Sequence, residues 1–336
     1  MDSIRLPTNI AEVVLAATDA SSIVDTMEIQ SLWSGYGSIF RVELSGDTTE
    51  RRPRSVIVKW VAPPTAKSAN HPRGWNTNVS HQRKLHSYQV ESNWYRDWSS
   101  RFDETIRVPR AHAIRSTDDQ HIFVLEDLDA SGFDQRRGRL DLDSISLGLA
   151  WLARFHANFL GDVPTGLWPT GTYWHLATRQ EELTAMEPGP LQKAAAAIDR
   201  KLNECRYQTV VHGDAKVANF CFRKDRSALA AVDFQYVGGG CGMKDVAYFL
   251  SSCVDESECE RNESIYLDMY FKALRDALYF RLPTAEIDEV ESEWRQLYPF
   301  AWADFTRFLL GWCPEHQKLN RYSETMTAQV LTQLSR

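Results

Sequence analysis

The chain has 336 residues, 43% of them hydrophobic and 25% charged, with a formal net charge of −7; this is the make-up of a soluble globular protein long enough for two lobes. No run approaches the roughly 20 apolar residues that span a bilayer. No Lys/Arg run concentrates the basic face that a sequence-independent nucleic-acid binder needs, so membrane and nucleic acid are set aside as partners.

Residues 8–17 predict a short helix, capped by Thr8 or Asn9, with Ile10, Val13, Val14 and Ala17 on one stripe. Such an N-terminus reads as a surface helix and not a leader. The six cysteines lack a C-x-x-C pair, which points to free thiols in a reducing compartment and so to the cytoplasm. Residues 32–44 and 54–61 predict strands, the first around a Gly-x-Gly turn and the second a dense Val/Ile run. Residues 62–80, rich in Pro, Asn, Ser and Thr, predict a long exposed loop. Helical spacing follows, with Leu85, Tyr88, Glu91 and Tyr95 on one face, and strands at 107–116 and 121–128 complete a small α+β unit. Ile145, Leu149, Leu152, His156 and Phe159 then step along one helical stripe. Further helices are predicted at 191–205, 244–252, 262–280, 284–298, 300–311 and 322–335. Between them, 209–240 breaks the pattern as strand, loop, strand and loop.

That break carries the chemistry. His212-Gly213-Asp214-Ala215-Lys216-Val217-Ala218-Asn219 is an H-x-D-x-x-x-x-N loop. A carboxylate on a short rigid loop can orient an alcohol and take its proton, and an amide oxygen five residues on can hold a metal. Asp214 is therefore the expected base and Asn219 a metal ligand. Lys216 stands where a lysine would contact the phosphate in transfer. Asp233-Phe234-Gln235 follows fourteen residues after Asn219, behind the apolar run ALAAV. An Asp ending a buried strand offers the hard oxygen that Mg²⁺ needs at the β- and γ-phosphates of ATP. Upstream, Lys59 lies in an apolar strand and must find a partner, for which Glu91 is the natural choice. Gly35-Tyr36-Gly37-Ser38 would fold over phosphates, although a plain hairpin turn explains it as well and the third Gly of G-x-G-x-x-G is absent. In this order the elements suit phosphoryl transfer from ATP, with Mg²⁺, to a hydroxyl of a small molecule.

HGDAKVANF, VDFQ and KDVAYFL resemble the aminoglycoside phosphotransferase and choline kinase superfamily. VLEDLDASGF and LARFHANF are similar to its ecdysteroid-kinase-like branch, although Lys216 stands where that branch often has an aromatic. The resemblance implies an α+β, two-lobed protein-kinase-like fold, with a sheet-based N-lobe at 1–127 and a mostly helical C-lobe at 128–336. It implies that Glu126 and Leu128 offer backbone groups to adenine, that His156 and His212 hold the catalytic loop, and that Asp245 braces it. The family binds its acceptor in the second lobe, where Trp302 and Asp304 are the candidate contacts. Gly238-Gly239-Gly240 and Gly242 would give a flexible loop after D-F-Q. Two other readings stay open. One is a kinase of protein side chains, disfavoured because no A-P-E segment follows D-F-Q; the other is a nucleotide-binding pseudokinase acting as a scaffold.

Overall fold

The structure is a computed structural model that describes residues 6–32, 35–46, 53–63, 78–102, 104–117 and 120–336. Much of the polar stretch expected as a loop, residues 64–77, lies outside the described residues. The strand-forming stretches of the first third assemble into one antiparallel sheet of β1 (Ile23–Ser31), β2 (Gly37–Leu44), β3 (Ser55–Val61), β4 (Ala111–Ser116) and β5 (His121–Glu126), in the order β1-β2-β3-β5-β4. Strand β1 escaped the sequence reading. Only one of its nine residues is buried, so its charged, edge-facing pattern lacks the apolar run that marked β3.

Side chains alternate across a strand, which gives this sheet two different faces. Val56 and Val58 join Phe40, Val42, Ile122 and Val124 beneath Ile10 and Val14 of α1 (Thr8–Thr18). Each fully buried side chain of this kind is worth about 1.5–3 kcal/mol. Helix α1 starts from Pro7 with no side-chain cap, not from Thr8 or Asn9 as expected. The opposite face carries Lys59, Val61 and Phe123 toward α2 (Asn78–Asn93) and its π-helical continuation Trp94–Trp98. Tyr88, Glu91 and Tyr95 of the predicted face are buried, and Leu85 is half-buried. This asymmetry puts Lys59 under α2, which carries Glu91.

Beyond β5 helices dominate: α3 (Leu142–Asn158), α4 (Gln180–Ala185), α5 (Pro190–Asn203), α6 (Met243–Cys253), α7 (Glu256–Leu278), α8 (Thr284–Trp312) and α9 (Arg321–Leu334). Two small hairpin sheets interrupt them. One pairs β6 (Thr209–Val211) with β9 (Gly238–Gly240); the other pairs β7 (Phe220–Phe222) with β8 (Leu229–Ala231). The fold is thus α+β and two-lobed, in the manner of protein kinases, with a small sheet lobe on a larger helical one.

Two expectations are corrected here. Helix α8 runs through Pro299 instead of breaking there. An interior proline costs about 3 kcal/mol, and the burial of Trp294, Leu297, Tyr298, Phe300 and Trp302 around it outweighs that. The glycines 238–240 are also no flexible loop. They form a buried strand so tightly packed that a Cβ on Gly238 would sit 2.3 Å from the Trp168 carbonyl oxygen. The six cysteines are unpaired. No helix among the described residues is long and apolar enough to cross a membrane.

Candidate active site

Between the end of β6 and the start of β7, five residues apart in the loop, Asp214 and Asn219 meet. The Asn219 amide donates to the Asp214 carbonyl oxygen (2.8 Å) and to its Oδ2 (3.0 Å). Lys216 Nζ donates to the same Oδ2 at 2.9 Å. The other oxygen, Asp214 Oδ1, is buried and has no partner. Gly213 has φ +78°, and a Cβ there would lie 2.0 Å from the Tyr236 carbonyl oxygen, so only glycine permits this turn.

Buried polar groups hold the loop from behind. Asp245, near the start of α6, accepts from the backbone N–H groups of His212 (2.6 Å) and Gly213 (3.0 Å). It also meets His156 Nε2 of α3 at 3.1 Å, while His156 Nδ1 bonds the Tyr270 hydroxyl. His212 donates from Nε2 to the Val232 carbonyl and accepts at Nδ1 from the Asp214 N–H, which defines a neutral tautomer. Burial lowers the pKa of His212 and reinforces that state. Asp245→Ala strands two backbone donors and a histidine in a site closed to water. The expected cost is about 3–5 kcal/mol, read as a lower urea midpoint, with the loop misplaced and any activity lost alongside. Unchanged stability would contradict this account.

Asp233 follows β8 in a left-handed conformation, φ +71°, which a non-glycine residue adopts at a cost and which marks functional turns. Gln235 Nε2 donates to its Oδ1 at 2.8 Å, and Lys59 Nζ stands 3.8 Å from the same oxygen. Burial works to raise the Asp233 carboxyl, but Lys59 and Lys216 outweigh it and keep the pKa below its ordinary value. Phe234 stacks on Trp94 at 4.4 Å, tying this loop to the helix that carries Glu91.

Lys59 Nζ reaches both carboxylate oxygens of Glu91, at 2.9 and 2.7 Å. Both residues are buried, and the ammonium lies over the Tyr88 and Phe123 rings. Burial alone would discharge Lys59; Glu91 and Asp233 hold its pKa above the ordinary lysine value, so it is charged at neutral pH. Burial pushes Glu91 up to about 7 against the pull of Lys59. Glu91, Lys59, Asp233, Asp214, Lys216 and Asn219 are thus joined by a continuous set of contacts and mutual charge effects spanning both lobes.

The remaining expected residues fall differently. Gly35, at φ +71°, has open space where a Cβ would stand, whereas Gly37 opens β2 against Val61. Tyr36 between them is buried and bonds His81 of α2. The Ser38 hydroxyl is spent on Glu28 of β1 at 2.8 Å. The Glu126 side chain is paired with Arg107 and lines a rear cleft of about 1680 Å³ that contains neither Asp214 nor Asp233. The Glu126 N–H donates to the Arg110 carbonyl, and the Leu128 carbonyl accepts from Phe133 and Ser131.

Trp302 and Asp304 are corrected as acceptor contacts. Trp302 packs against Tyr322 inside the helical lobe, and Asp304, 1% exposed, is consumed by Arg307 and the Trp174 indole. Burial of both α8 faces at that level removes them from any groove. What stands near Asp214 instead is Tyr173, Tyr236, Tyr248 and Lys318, each of which feels its charge. Tyr248 was findable in the sequence as the residue one helical turn past Asp245. Lys84, half-buried on α2 and pushed down to about 8 by burial and by Lys59, sits one turn before Tyr88 and was findable in the same way. Lys318 lies in an irregular connection and had no local signal.

The model of the ecdysteroid kinase-like family matches residues 35–159 and 171–280, well over half of the chain. The chain belongs to the ecdysteroid kinase-like family. Among solved structures, it is similar to an aminoglycoside-3′-phosphotransferase of type VIII (14% identity, 87% of this chain and 99% of that one, TM-score 0.44). It is also similar to a microcompartment-associated aminopropanol kinase (15%, 97% and 94%, TM-score 0.48) and to an ethanolamine kinase of Plasmodium vivax (11%, 93% and 82%, TM-score 0.42). No curated protein matches the chain. Within the family match lie Lys59, Glu91, the Asp214 loop and Asp233; Lys318 lies outside it.

Proposed function

We propose that this family member is an ATP-dependent phosphotransferase that moves the γ-phosphate to a hydroxyl of a small molecule. The observation that carries the reading is the convergence of Lys59–Glu91, Asp233 and the Asp214–Asn219 pair on one place between the lobes. Residues 1–127 would cover the nucleotide and 128–336 would carry the catalytic and acceptor groups. The Glu126 carbonyl and the Leu128 N–H would meet adenine, since the Glu126 N–H and the Leu128 carbonyl are already engaged. The turn at Gly35, Gly37 and Ser38 would approach the phosphates through its backbone.

The residues fit a divalent cation held together with a nucleotide. No cluster of three or more His, Cys, Asp or Glu among the described residues could hold a metal by itself. Asp233 with the Asn219 oxygen makes the sparse, hard-oxygen set that suits Mg²⁺ sharing its shell with phosphates. The unpartnered Asp214 Oδ1 and the mutual repulsion of Asp214 and Asp233 favour the same charge balance. Bound there, Mg²⁺ would supply the positive charge that β- and γ-phosphate oxygens require. Asp214 would orient the acceptor hydroxyl and receive its proton, Lys216 would face the phosphate in transfer, and Lys59 would position the inner phosphates.

ATP with Mg²⁺ at 100 times its Kd should raise stability by about 2.7 kcal/mol, and mass spectrometry of a hydroxyl-compound library should find a product heavier by one phosphoryl group. A shift without any product would favour the scaffold reading; no shift at all would defeat this proposal.

The pH profile has a defined sign. Burial raises the Asp214 carboxyl above its ordinary value, with Lys216 opposing and Asp233 adding to the rise. A base works only when deprotonated, so the acid limb of kcat/KM should lie above the ordinary Asp value of about 3.9. Lys216→Met should move that limb further up. A limb at or below the ordinary value would remove Asp214 from the role.

A further inference from the structure

Aromatic side chains that feel its charge stand around Asp214. Tyr173 and Tyr248 are joined through their hydroxyls at 3.1 Å, Tyr173 faces Tyr236 at 5.9 Å between ring centroids, and Phe305 and Phe308 back them. Onto this wall the connection between α8 and α9 delivers a single lysine. Lys318 Nζ lies 4.6 Å from the Tyr248 ring centroid and 5.4 Å from that of Phe305.

That placement is built. The connection starts on Trp312, whose ring stacks on Phe308 and meets His316. His316 Nδ1 accepts from the Lys318 N–H, and Asn320 closes the segment with a capping box on Ser323. Among the described residues Lys318 forms no ion pair. Asp214, whose charge it feels, is already engaged by Lys216. A second cation on this wall, Arg179, reaches over the Tyr173 and Phe308 rings and is matched by Glu182. The aromatic faces stabilise an ammonium without neutralising it, so its charge is available to a ligand.

We propose that Lys318 is the specificity-determining residue of the acceptor pocket: propped on Tyr248 and Phe305 beside Asp214, it selects hydroxy acids built on an apolar ring and turns away amino alcohols. The ring would lie on the tyrosine wall, the hydroxyl would face Asp214, and the carboxylate would meet Lys318. An amine in the same place would meet a like charge in partly dehydrated surroundings, where repulsion is strong. Burial lowers Lys318 only to about 8, so it is charged at neutral pH.

This inference rests on the phosphotransferase reading, and its test separates the two. The full chain is first titrated with a non-hydrolysable ATP analogue and Mg²⁺, which tests nucleotide binding alone. Calorimetry then measures three probes: para-(hydroxymethyl)benzoate, its neutral hydroxymethyl counterpart and its aminomethyl counterpart. The carboxylate should bind about tenfold or more tightly than the amine. Lys318→Met should bring the ratio close to one, Lys318→Glu should invert it, and Lys318→Arg should keep it, all with unchanged nucleotide affinity. An amine that binds as tightly as the carboxylate, a ratio indifferent to Lys318, or failure of all three probes to bind would overturn the proposal. Loss of nucleotide binding would instead strike the phosphotransferase reading.

Discussion

Asp214→Asn is expected to lower phosphate transfer by on the order of 10²–10⁴-fold while nucleotide binding survives. Asparagine keeps the volume of the side chain and can still accept from Lys216 and Asn219 through its one oxygen, so the loop should stay in place. What disappears is the carboxylate able to take the acceptor proton, together with the orphaned Oδ1 that now awaits a partner. The check pairs single-turnover transfer with calorimetric titration of ATP and Mg²⁺. Near-normal turnover in this variant would end the base assignment; lost nucleotide binding would show that Asp214 supports the ground state instead.

The second large effect is on folding as well as chemistry. Lys59→Met leaves Glu91 sealed beneath the sheet with no counter-charge. Breaking one side of such a pair typically costs about 3–5 kcal/mol. The deficit should depend on pH in a fixed direction. Burial already raises Glu91 to about 7 with Lys59 present, and removing the lysine raises it further. A carboxyl whose folded pKa exceeds its unfolded value supports the fold at low pH and loses that support as pH rises. The variant should therefore be nearly as stable as the parent at about pH 5 and much weaker at about pH 8. Adding Glu91→Leu should recover stability at the higher pH without recovering transfer. Urea unfolding at both pH values decides it, and a pH-independent deficit would mean that the pair is not buried in the way described.

Much of this site is readable along the chain because local rules place it. Asp214 and Asn219 share one loop, so five residues of spacing suffice to bring their side chains together. Strand alternation turns Lys59 to one face, and helical spacing aligns Glu91 with Tyr88 and Tyr95. The apolar run before Asp233 marks it as the end of a buried strand. These are short-range consequences of backbone geometry, and the family motifs restate them.

The failures share another cause. Strand β1 is polar because it is an edge; helix α8 passes Pro299 because its neighbours bury enough apolar surface to carry the break; and the glycines 238–240 look loose but are squeezed against Trp168 and Pro169. Trp302 and Asp304 resemble pocket residues, yet the fold spends them on Tyr322, Arg307 and Trp174. Lys318 reads as an ordinary surface lysine, and only the folded connection sets it on Tyr248. Motif spacing alone was enough to bring the Asp214–Asn219 loop, Asp233 and the Lys59–Glu91 pair together. Which aromatic and charged groups stand near Asp214 was settled by packing between helices far apart in sequence, because burial and charge there depend on neighbours that no local pattern encodes.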